Sequence, residues 1–386
     1  MFIKIGKSSL KKNDENAYGD CIITRRYKDS DKITAVLSDG LGSGIKANIL
    51  STMTSVMLMG FAENNADLIK SAEIVMNSLP VCKVRKISYS TFSIVVADNE
   101  GNVNIIEEGN PDFIYYSNNK IVELRPEIID SKTFKDRHLK IYNFTLKEND
   151  VLVFVSDGVT QAGLASEQLK DGITREGLKR IVKEYIEKTP DFNPDDLAHH
   201  ITNIAKYVSK NHTPQDDTSA LVLKVVKPKK ALIYTGPPYN SDKDFEWARL
   251  FEDFEGKKAV AGGTTASILS RELKKEIYIN QTSYGNLPAV SFMEGADLVT
   301  EGILTLTRVC EYLSDDDFEE KNDAAKDLID FMLDADCINF VVGAKVNSAH
   351  YDPNLPIEIE LRRDVIKKIS KTLKDKYLKK VTVQYM

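Results

Sequence analysis

The chain has 386 residues, of which 42% are hydrophobic and 28% are charged. This length suits two or three globular domains, and the composition excludes a largely disordered or fibrous chain. There are 52 lysines and arginines against 58 aspartates and glutamates, and the net charge of −6 excludes a bulk basic surface for nucleic acid.

The four cysteines are scattered along the chain without a C-x-x-C pair. That spacing excludes a disulfide scaffold and a thiolate zinc site, and it is typical of a reducing compartment. The first seven residues are too short and too charged for a secretory signal. The longest mostly apolar stretch, residues 49–62, falls short of the about 20 residues that a bilayer span requires. We therefore expect a soluble, cytoplasmic protein without a membrane span.

Short strand patterns dominate the first 226 residues. The apolar or β-branched runs that predict strands are at residues 32–37, 89–98, 103–106, 113–116, 120–123, 150–155 and 219–226. Helical periodicity between them predicts helices at residues 45–63, 66–79, 176–187 and 194–209. Because turn residues join several strands directly, we expect hairpins and antiparallel sheets covered by helices, an α+β layered domain.

A polar segment at residues 227–230, which contains a proline, follows the last of these strands and predicts a linker. After it, strands and helices alternate. The predicted strands are at residues 231–234, 258–261, 337–343 and 380–385. The predicted helices are at residues 242–254, 266–273, 296–312, 322–333 and 362–377. We therefore expect a domain at residues 1–226 and a second, smaller α/β domain at residues 231–386.

Acidic residues lie at the ends of several predicted strands. Asp39 and Asp157 each follow an apolar strand in a Ser-Asp-Gly sequence, Asp216 and Asp217 precede another strand, and Asp20 precedes a candidate strand at residues 21–24. A glycine after the aspartate lets the chain turn sharply and exposes a carbonyl oxygen. Clustered carboxylates repel one another unless a cation lies between them, and Mg²⁺ and Mn²⁺ prefer oxygen ligands. The pattern favours a divalent metal site over simple turns, in which Asp-Gly is also common.

These same segments resemble the signature of a known family. Residues 38–47 (SDGLGSGIKA), 156–159 (SDGV) and 216–219 (DDTS) are similar to metal-dependent PP2C-type (PPM) protein phosphatases, in particular the bacterial stage II sporulation protein E-like branch. Gly19-Asp20 and residues 108–114 (EGNPDFI) also fit that branch. The motifs keep the order and spacing of the family from about residue 8 to residue 226. The resemblance implies an α-β-β-α sandwich of two antiparallel sheets flanked by helices.

The resemblance also implies a protein serine/threonine phosphatase with two Mn²⁺ or Mg²⁺ ions. Asp39 would bridge both ions, and the carbonyl of Gly40 would bind one of them. Asp157 and Asp216 would each complete the ligand set of one ion, and Asp20 would lie beside them. Asp39, Asp157 and Asp216 are thus the candidate catalytic residues. A hydroxide that bridges the ions would attack the phosphorus of a phosphoserine or phosphothreonine.

The sequence departs from the broader family in two places. Many members carry a histidine directly after the first Asp-Gly, where this chain has Leu41, and no arginine matches their phosphate-binding arginine near the N-terminus. The sporulation-type branch commonly lacks both, so we do not interpret the chain as inactive. His212, four residues before Asp216, is a candidate auxiliary acid.

The segment at residues 42–44 leads from Asp39 into the first predicted helix, with Ser43 as its expected N-cap. We expect the apolar side chains of that helix to pack on the sheet, namely those of Ile49, Met53, Val56, Met57 and Phe61. Movement of this helix relative to the metal loop is one control of activity to consider. A static core helix is the alternative.

The second domain has one notable motif, Gly262, Gly263, Thr264 and Thr265, between a candidate strand and a candidate helix. Amides and hydroxyl groups at the start of a helix can bind an anion. The motif lacks the spacing of a Walker A or GxGxxG loop, and a tight turn with capping threonines is an equal alternative. We interpret this domain as a regulatory or ligand-binding module.

Our main hypothesis is a bacterial two-metal phosphatase that acts on a phosphoprotein, such as a small phosphoserine switch protein in signalling. A homodimer is among the oligomeric states to test. One alternative is a non-catalytic sensor or scaffold with the PPM fold, against which the retained acidic residues argue. Another is a hydrolase of a small phosphorylated metabolite, which the loop at residues 262–265 favours.

Overall fold

The chain divides into two compact units, unit 1 (Met1–Lys227) and unit 2 (Pro228–Met386). Lys230 already begins the first strand of unit 2, so the predicted linker is shorter than residues 227–230. Tyr89, at the start of a predicted strand, lies outside the described residues. The computed structural model describes all residues except 28–30, 80–89, 135, 167–168, 280–289 and 344–354, and does not describe the side chains of residues 279 and 355–360.

Unit 1 contains two sheets. Its strands are β1 (Phe2–Leu10), β2 (Asp20–Arg26), β3 (Ile33–Gly40), β4 (Ser90–Ala97), β5 (Asn102–Glu108), β6 (Ile114–Ser117), β7 (Lys120–Val122), β8 (Glu127–Asp130), β9 (His138–Thr145), β10 (Val151–Val155) and β11 (Thr218–Val226). One sheet has the order β1-β11-β10-β6-β7 and the other the order β2-β3-β4-β5-β9-β8. Every pairing between these strands is antiparallel, as predicted.

Helices cover the outer faces of both sheets. They are α1 (Gly44–Glu63), α2 (Leu68–Ser78), α3 (Asp157–Thr160), α4 (Thr174–Lys188) and α5 (Pro194–Val208). Apolar side chains of α1 and α2 pack on the six-stranded sheet, and those of α4 and α5 pack on the five-stranded sheet. A third apolar layer, which includes Leu37 and Phe154, fills the space between the sheets. The predicted α-β-β-α sandwich is therefore confirmed.

Three strands of unit 1 were absent from the sequence prediction, namely β1, β8 and β9. In β1 the apolar residues Phe2, Ile3 and Ile5 are mixed with lysines and serines, which weakens the local strand signal. The strand is nevertheless paired with β11 along its whole length, from Phe2 opposite Val226 to Leu10 opposite Thr218. Tertiary pairing therefore decides its conformation.

The orientation predicted for α1 is wrong. Ile49, Met53 and Val56 are exposed by 50%, 38% and 54%, and only Met57 and Phe61 are partly buried in the core. Among the described residues, α1 is the helix whose length and composition would suffice to cross a membrane, although 39% of the relevant window is buried in the fold. It packs against the six-stranded sheet as a core helix does.

Small and hydroxylated residues form the buried face of α1 instead. Ser51, Thr54 and Ser55 are fully buried. The hydroxyl of Ser38, on β3, donates to the carbonyl of Ser51 at 2.7 Å and lies 2.6 Å from the hydroxyl of Ser55. Large apolar side chains would hold the helix away from β3, so this close packing selects the face with the smaller residues.

Unit 2 has a single mixed sheet. Its strands are β12 (Lys230–Thr235), β13 (Lys257–Ala261), β14 (Ile277–Ile279), β15 (Ser291–Met293), β16 (Ala296–Thr300), β17 (Cys337–Val342) and β18 (Lys380–Tyr385). Their order is β14-β15-β16-β13-β12-β17-β18. The five strands from β16 to β18 in this order are parallel, whereas β14 and β15 form an antiparallel edge.

Helices pack on both faces of this sheet, which makes unit 2 the expected α/β domain. They are α6 (Asp244–Glu252), α7 (Gly263–Leu273), α8 (Ile303–Asp315), α9 (Ala324–Asp334) and α10 (Leu355–Asp375). Two predictions need correction. The predicted helix at residues 296–312 is strand β16 followed by α8. Helix α7 begins at Gly263 rather than at Ala266, so three residues of the predicted turn belong to its first turn.

Candidate metal centre

Two of the predicted ligands lie opposite each other on neighbouring strands of unit 1. Asp20 is the first residue of β2 and is paired with Asp39 of β3, which is also paired with Thr91 of β4. The sequence analysis placed Asp39 in a turn after its strand, but β3 continues through Gly40. Directly opposed residues of antiparallel strands have Cα atoms about 4.5–5.5 Å apart and side chains on the same face. The pairing therefore brings the two carboxyl groups together.

The other two predicted ligands come from the five-stranded sheet. Asp157 is the first residue of α3, directly after β10, and Asp216 lies two residues before β11. Ser156 joins the ends of these strands, because its hydroxyl accepts from the amide of Ser219 at 2.9 Å and its amide donates to the carbonyl of Ser219 at 3.1 Å. The serine before each aspartate thus fixes a neighbouring element, α1 for Ser38 and β11 for Ser156.

The glycines after Asp39 and Asp157 serve a purpose other than the predicted sharp turn. Neither has a positive φ. A Cβ atom at Gly40 would lie 2.0 Å from the carbonyl oxygen of Ala47, and one at Gly158 would lie 2.1 Å from the carbonyl oxygen of Asp217. Both glycines are required because backbone from a neighbouring segment approaches each of them closely.

Burial and mutual repulsion raise the pKa values of three of these carboxyl groups, those of Asp20, Asp39 and Asp157. Burial is the main cause that raises the pKa of Asp39 to about 9, and the charges of Asp20, Asp157 and Asp216 add to it, as does a hydrogen bond shared with Asp157. Burial and the charge of Asp216 raise the pKa of Asp157. All four predicted acids therefore interact electrostatically, which follows from their convergence at one end of the sandwich.

The carboxyl group of Asp20 is buried without hydrogen-bond partners in the described part of the chain. It is 5% exposed, and neither of its carboxylate oxygens has a hydrogen-bond partner among the described residues. Burial raises its pKa to about 7, and the nearby hydroxyls of Ser156 and Ser219 lower the pKa in part. The hydroxyl of Ser156 instead donates to the carbonyl of Asp217 at 3.4 Å, and the hydroxyl of Ser219 lies 2.8 Å from that of Ser9. A buried carboxylate without partners is costly unless a cation neutralises it.

The donor set suits a hard divalent cation, because it consists of carboxylate and carbonyl oxygens. In the described part of the chain, the present side-chain positions bring together no group of three or more histidine, cysteine, aspartate or glutamate residues that could hold a metal ion. The repulsion that raises the pKa of Asp39 also opposes a tighter arrangement of these carboxylates. A bound cation would remove that repulsion and draw the oxygens together.

Asp217 and Lys12 connect the loop after β1 to this cluster. Asp217 is 4% exposed and accepts from the amide of Lys12 at 3.3 Å. The ammonium of Lys12 lies 3.7 Å from a carboxylate oxygen of Asp216. These contacts give Asp217 a structural role beside the cluster. The sequence analysis did not identify Lys12. The signal for Lys12 was its place two residues after β1, a strand that local pattern did not reveal.

The motif at residues 108–114 supports the strand that carries Asp39. The side-chain amide of Asn110 donates to the carbonyl of Leu37 at 3.3 Å, and its carbonyl accepts from the hydroxyl of Thr91. Glu108 accepts from the guanidinium of Arg137 at 2.7 Å, in a pair in which both residues are buried. The motif therefore acts as a brace for β3 and β4 next to the site.

A cleft of about 450 Å³ opens beside Asp216. It is lined by Gly158, residues 161–166, residues 208–210 and Gln215. His212 does not extend the acidic cluster, because its ring stacks on Tyr207 at 4.8 Å and its Nδ1 lies 2.6 Å from the carbonyl of that residue. The predicted ligand-binding residues Gly262 to Thr265 lie in unit 2, at the start of α7.

Comparison with known proteins gave one family and several similar folds. A family model described as stage II sporulation protein E (SpoIIE) matches residues 29–226. The PP2C phosphatase domain of SpoIIE from Bacillus subtilis, solved with a fragment of its regulatory domain, has a TM-score of 0.48 and 17% identity. This similarity covers 58% of this chain and 64% of that one, which is less than two thirds of its length.

Two further solved structures are similar. The RsbU and RsbW domains of a Mycobacterium tuberculosis protein have a TM-score of 0.47 and 14% identity, over 64% of this chain and 67% of that one. RsbX in complex with magnesium has a TM-score of 0.40 and 17% identity, over 57% of this chain and 94% of that one. No curated protein sequence matches the chain.

Proposed function

We propose that this chain, which belongs to the stage II sporulation protein E family, is a metal-dependent protein serine/threonine phosphatase. Unit 1 has the PP2C-type fold of that family. The observation that carries the proposal is the cluster of Asp20, Asp39, Asp157 and Asp216, whose mutual repulsion and burial raise the pKa values of Asp20, Asp39 and Asp157. Such a cluster is costly to the fold unless it binds cations.

Asp39, Asp157 and Asp216 would hold two Mn²⁺ or Mg²⁺ ions, with the carbonyl of Gly40 as a further ligand and Asp20 beside them. When bound, these ions supply a nucleophile derived from water and neutralise charge on the phosphoryl group. Asp20 and Asp39 hold one side of the site from the six-stranded sheet, and Asp157 and Asp216 hold the other side from the five-stranded sheet. Strands of both sheets therefore keep the carboxylates in place.

Lys12 supplies the positive charge that the missing arginine supplies in other family members. Its ammonium lies beside Asp216, at the edge of the cleft. A cation there attracts a phosphate group toward the carboxylate cluster. Leu41 has no proton to give, so the departing alkoxide takes its proton from water.

The cleft favours a phosphoprotein over a small metabolite as substrate. It is a cleft rather than an enclosed cavity, and its lining includes the exposed residues Leu164 and Lys210. Small-molecule sites usually bury most of the ligand surface, whereas a phosphorylated protein segment needs an open path. The proposed substrate is a phosphoserine or phosphothreonine protein of the cytoplasm, such as a small phosphoserine switch protein.

Hydrolysis of p-nitrophenyl phosphate and of a phosphoserine peptide tests this proposal. We expect activity with Mn²⁺, none with EDTA, and a loss in Asp39→Asn of more than about 100-fold in kcat/KM. Asp98→Asn is the control for the change in charge. The carboxylate of Asp98 accepts from the amides of Glu100 and Asn102 in a turn, so this variant loses stability and keeps activity.

Four results would contradict the proposal. Activity that EDTA does not reduce would exclude the metal, and unchanged activity in Asp39→Asn would exclude the site. Absence of hydrolysis of both substrates in the presence of Mn²⁺ would favour a non-catalytic sensor or scaffold. A preference for a panel of phosphorylated metabolites over the phosphopeptide would favour the metabolite hydrolase instead.

A further inference from the structure

Gln161 connects Asp157 with the cleft of unit 1. It directly follows the single turn of α3, which begins at Asp157. Its main-chain amide donates to the carbonyl of Asp157 at 2.8 Å, and its side-chain Nε2 donates to a carboxylate oxygen of the same residue at 2.9 Å. Residues four apart in a helical turn lie on the same side of it. The turn of α3 therefore holds the side chains of Gln161 and Asp157 together.

Close packing fixes the main chain of Gln161. Its carbonyl accepts from the amide of Leu164 at 2.9 Å. Gly172 has φ +77°, and a Cβ atom at Gly172 would lie 3.0 Å from both the Cα atom and the carbonyl carbon of Gln161. A larger residue at position 172 would push the two segments apart. The fold therefore sets the place from which the side chain of Gln161 extends.

Gln161 lies where the carboxylate cluster meets solvent. Asp157 shares a hydrogen bond with Asp39 inside the cluster, and it accepts a second one from Gln161. Asp157 is partly buried, whereas Gln161 is exposed and lines the cleft beside Asp216. A molecule in the cleft therefore meets the amide group of Gln161 next to the carboxylate of Asp157.

A second side-chain amide of the cleft lining has a different use. Nε2 of Gln215 donates to the carbonyls of Lys210 and Thr213 at 3.4 and 3.1 Å, so it supports its own loop. Nε2 of Gln161 donates to a member of the carboxylate cluster instead. The two glutamines share the cleft, but Gln161 is the one in contact with a candidate metal ligand.

One hydrogen of the Gln161 side chain is available to a ligand. A side-chain amide nitrogen carries two hydrogens, and Nε2 gives one of them to Asp157. Its second hydrogen has no acceptor among the described residues. Because Gln161 is exposed on the cleft wall, this hydrogen can reach an oxygen of a phosphate group there.

The neutral charge of this donor suits its position. A lysine or arginine in its place would form an ion pair with Asp157 and compete with a cation for that carboxylate. A glutamate would repel a phosphate group. An amide donates to both the carboxylate and the phosphate without either conflict, and donors aimed at a phosphoryl group stabilise its negative charge.

We propose that Gln161 is a substrate-contact residue, which holds Asp157 with one amide hydrogen and donates the other to a phosphoryl oxygen of the substrate. This inference rests on the proposed phosphatase function, because it places the phosphate group of a phosphorylated protein in the cleft beside Asp157. It adds a donor from the chain itself to the cations and Lys12.

Binding of inorganic phosphate to the full chain loaded with Mn²⁺ tests the contact without turnover. Gln161→Met removes the amide hydrogens and keeps the length and neutrality of the side chain, so calorimetry should show phosphate binding weakened about tenfold. Gln161→Glu adds repulsion and should weaken it further. Gln384→Met and Gln384→Glu make the same exchanges at an exposed position of β18 in unit 2, and they should bind phosphate as the unsubstituted chain does.

The affinity for Mn²⁺ separates a phosphate contact from a merely structural role. Gln161→Glu adds a carboxylate beside the cluster, so it should bind Mn²⁺ at least as tightly as the unsubstituted chain while it binds phosphate more weakly. A structural role alone would weaken both. In kinetics, KM for the phosphoserine peptide should rise in the same order, from the unsubstituted chain to Gln161→Met to Gln161→Glu.

The outcomes distinguish this inference from the proposed function. An unsubstituted chain that binds Mn²⁺ and phosphate but hydrolyses neither test substrate would contradict the phosphatase, and the variants would still decide the contact. An active enzyme whose phosphate affinity and KM are unchanged in both Gln161 variants would overturn the contact alone. A joint loss of Mn²⁺ and phosphate binding in Gln161→Glu would also overturn it. Failure of the unsubstituted chain to bind Mn²⁺ would overturn both proposals.

Discussion

The candidate sites of the two units are opposite in charge and in construction. In unit 1, antiparallel strands of two sheets bring four carboxyl groups to one end of the sandwich. In unit 2, parallel strands place glycines, threonines and helix N-termini along one edge. Antiparallel strands alternate in direction, so a site at one end of the sheet depends on individual side chains. Parallel strands all end at the same edge, so the helices that follow them present the positive ends of their dipoles at that edge. Unit 1 therefore offers charged side chains to a cation, whereas the strand ends of unit 2 offer mainly main-chain groups.

The largest effect expected from this contrast is a dependence of metal binding on protons. Without metal, burial and repulsion raise the pKa of Asp39 to about 9 and that of Asp20 to about 7. Mn²⁺ must displace the protons these groups hold, so at pH 7 binding should release about one proton or more, and affinity should fall as the pH falls. Calorimetry in two buffers of different ionisation enthalpy measures the release. An affinity for Mn²⁺ that does not change between pH 6 and pH 9 would contradict the proposed binding of the ion by these carboxyl groups.

The second prediction concerns a buried acid of unit 1 outside the cluster. Burial raises the pKa of Glu107 to about 8 in the folded chain, and its Oε1 accepts from Ser93 at 3.1 Å. The folded state therefore retains a proton that the unfolded state loses near pH 4.5, so stability falls as the pH rises from there to about 8. Glu107→Gln should remove this slope and raise the free energy of unfolding above pH 8 by a few kcal/mol, roughly.

Urea unfolding followed by circular dichroism at several pH values measures this effect, while Trp247 fluorescence reports unit 2 separately. Ser93→Ala is a useful companion, because it removes the hydrogen bond that lowers the pKa of Glu107 and should extend the fall in stability to a higher pH. An identical pH dependence in Glu107→Gln and the unsubstituted chain would contradict the prediction.

Adjacent glycines of unit 2 give the third prediction. Gly262 has φ +142°, a conformation that residues with a Cβ atom rarely adopt, so Gly262→Ala should cost about 1–3 kcal/mol. Gly263 lies in the first turn of α7 with open space around it, so Gly263→Ala should be neutral or stabilising by up to about 1 kcal/mol. Unfolding followed by Trp247 fluorescence compares the two. An equal loss in the free energy of unfolding in both variants would contradict this geometry at the start of α7.

The smallest effect is expected from Lys12. Its ion pair with Asp216 is partly exposed on both sides, so Lys12→Gln should change stability by less than about 1 kcal/mol. If Lys12 attracts the substrate phosphate, the variant should raise KM for a phosphopeptide several-fold and leave kcat nearly unchanged. Lys11→Gln is the control, with the same loss of charge one residue away. A matching change in KM in both variants would assign the effect to net charge alone.

Local pattern predicted much of the architecture. The buried runs that became β3, β4, β10 and β11 are short, apolar and bounded by turn residues, so their burial and their extended conformation follow from the same residues. The two Ser-Asp-Gly motifs also identified Asp39 and Asp157, two of the four acids that the fold brings together. These features depend on neighbours in the sequence, and the sequence contains them directly.

Tertiary contacts decided what local pattern could not. Helix α1 turns Ser51 and Ser55 inward and leaves Ile49 exposed, because the close approach of β3 favours small side chains over apolar ones. Residues 296–300 became a strand because they pair with β13. Lys12 reached Asp216 only through the pairing of β1 with β11.

The same division holds for chemistry. The sequence by itself determined which residue types stand at the strand ends, acids in unit 1 and glycines with threonines in unit 2. Only the tertiary structure decided that Asp20 and the hydroxyl of Thr265 are buried without described partners. The physical reason is that removal from water depends on every element packed around a group. Whether a buried polar atom finds a partner depends on strand register and on the distance between packed segments, and neither is encoded in the neighbouring residues.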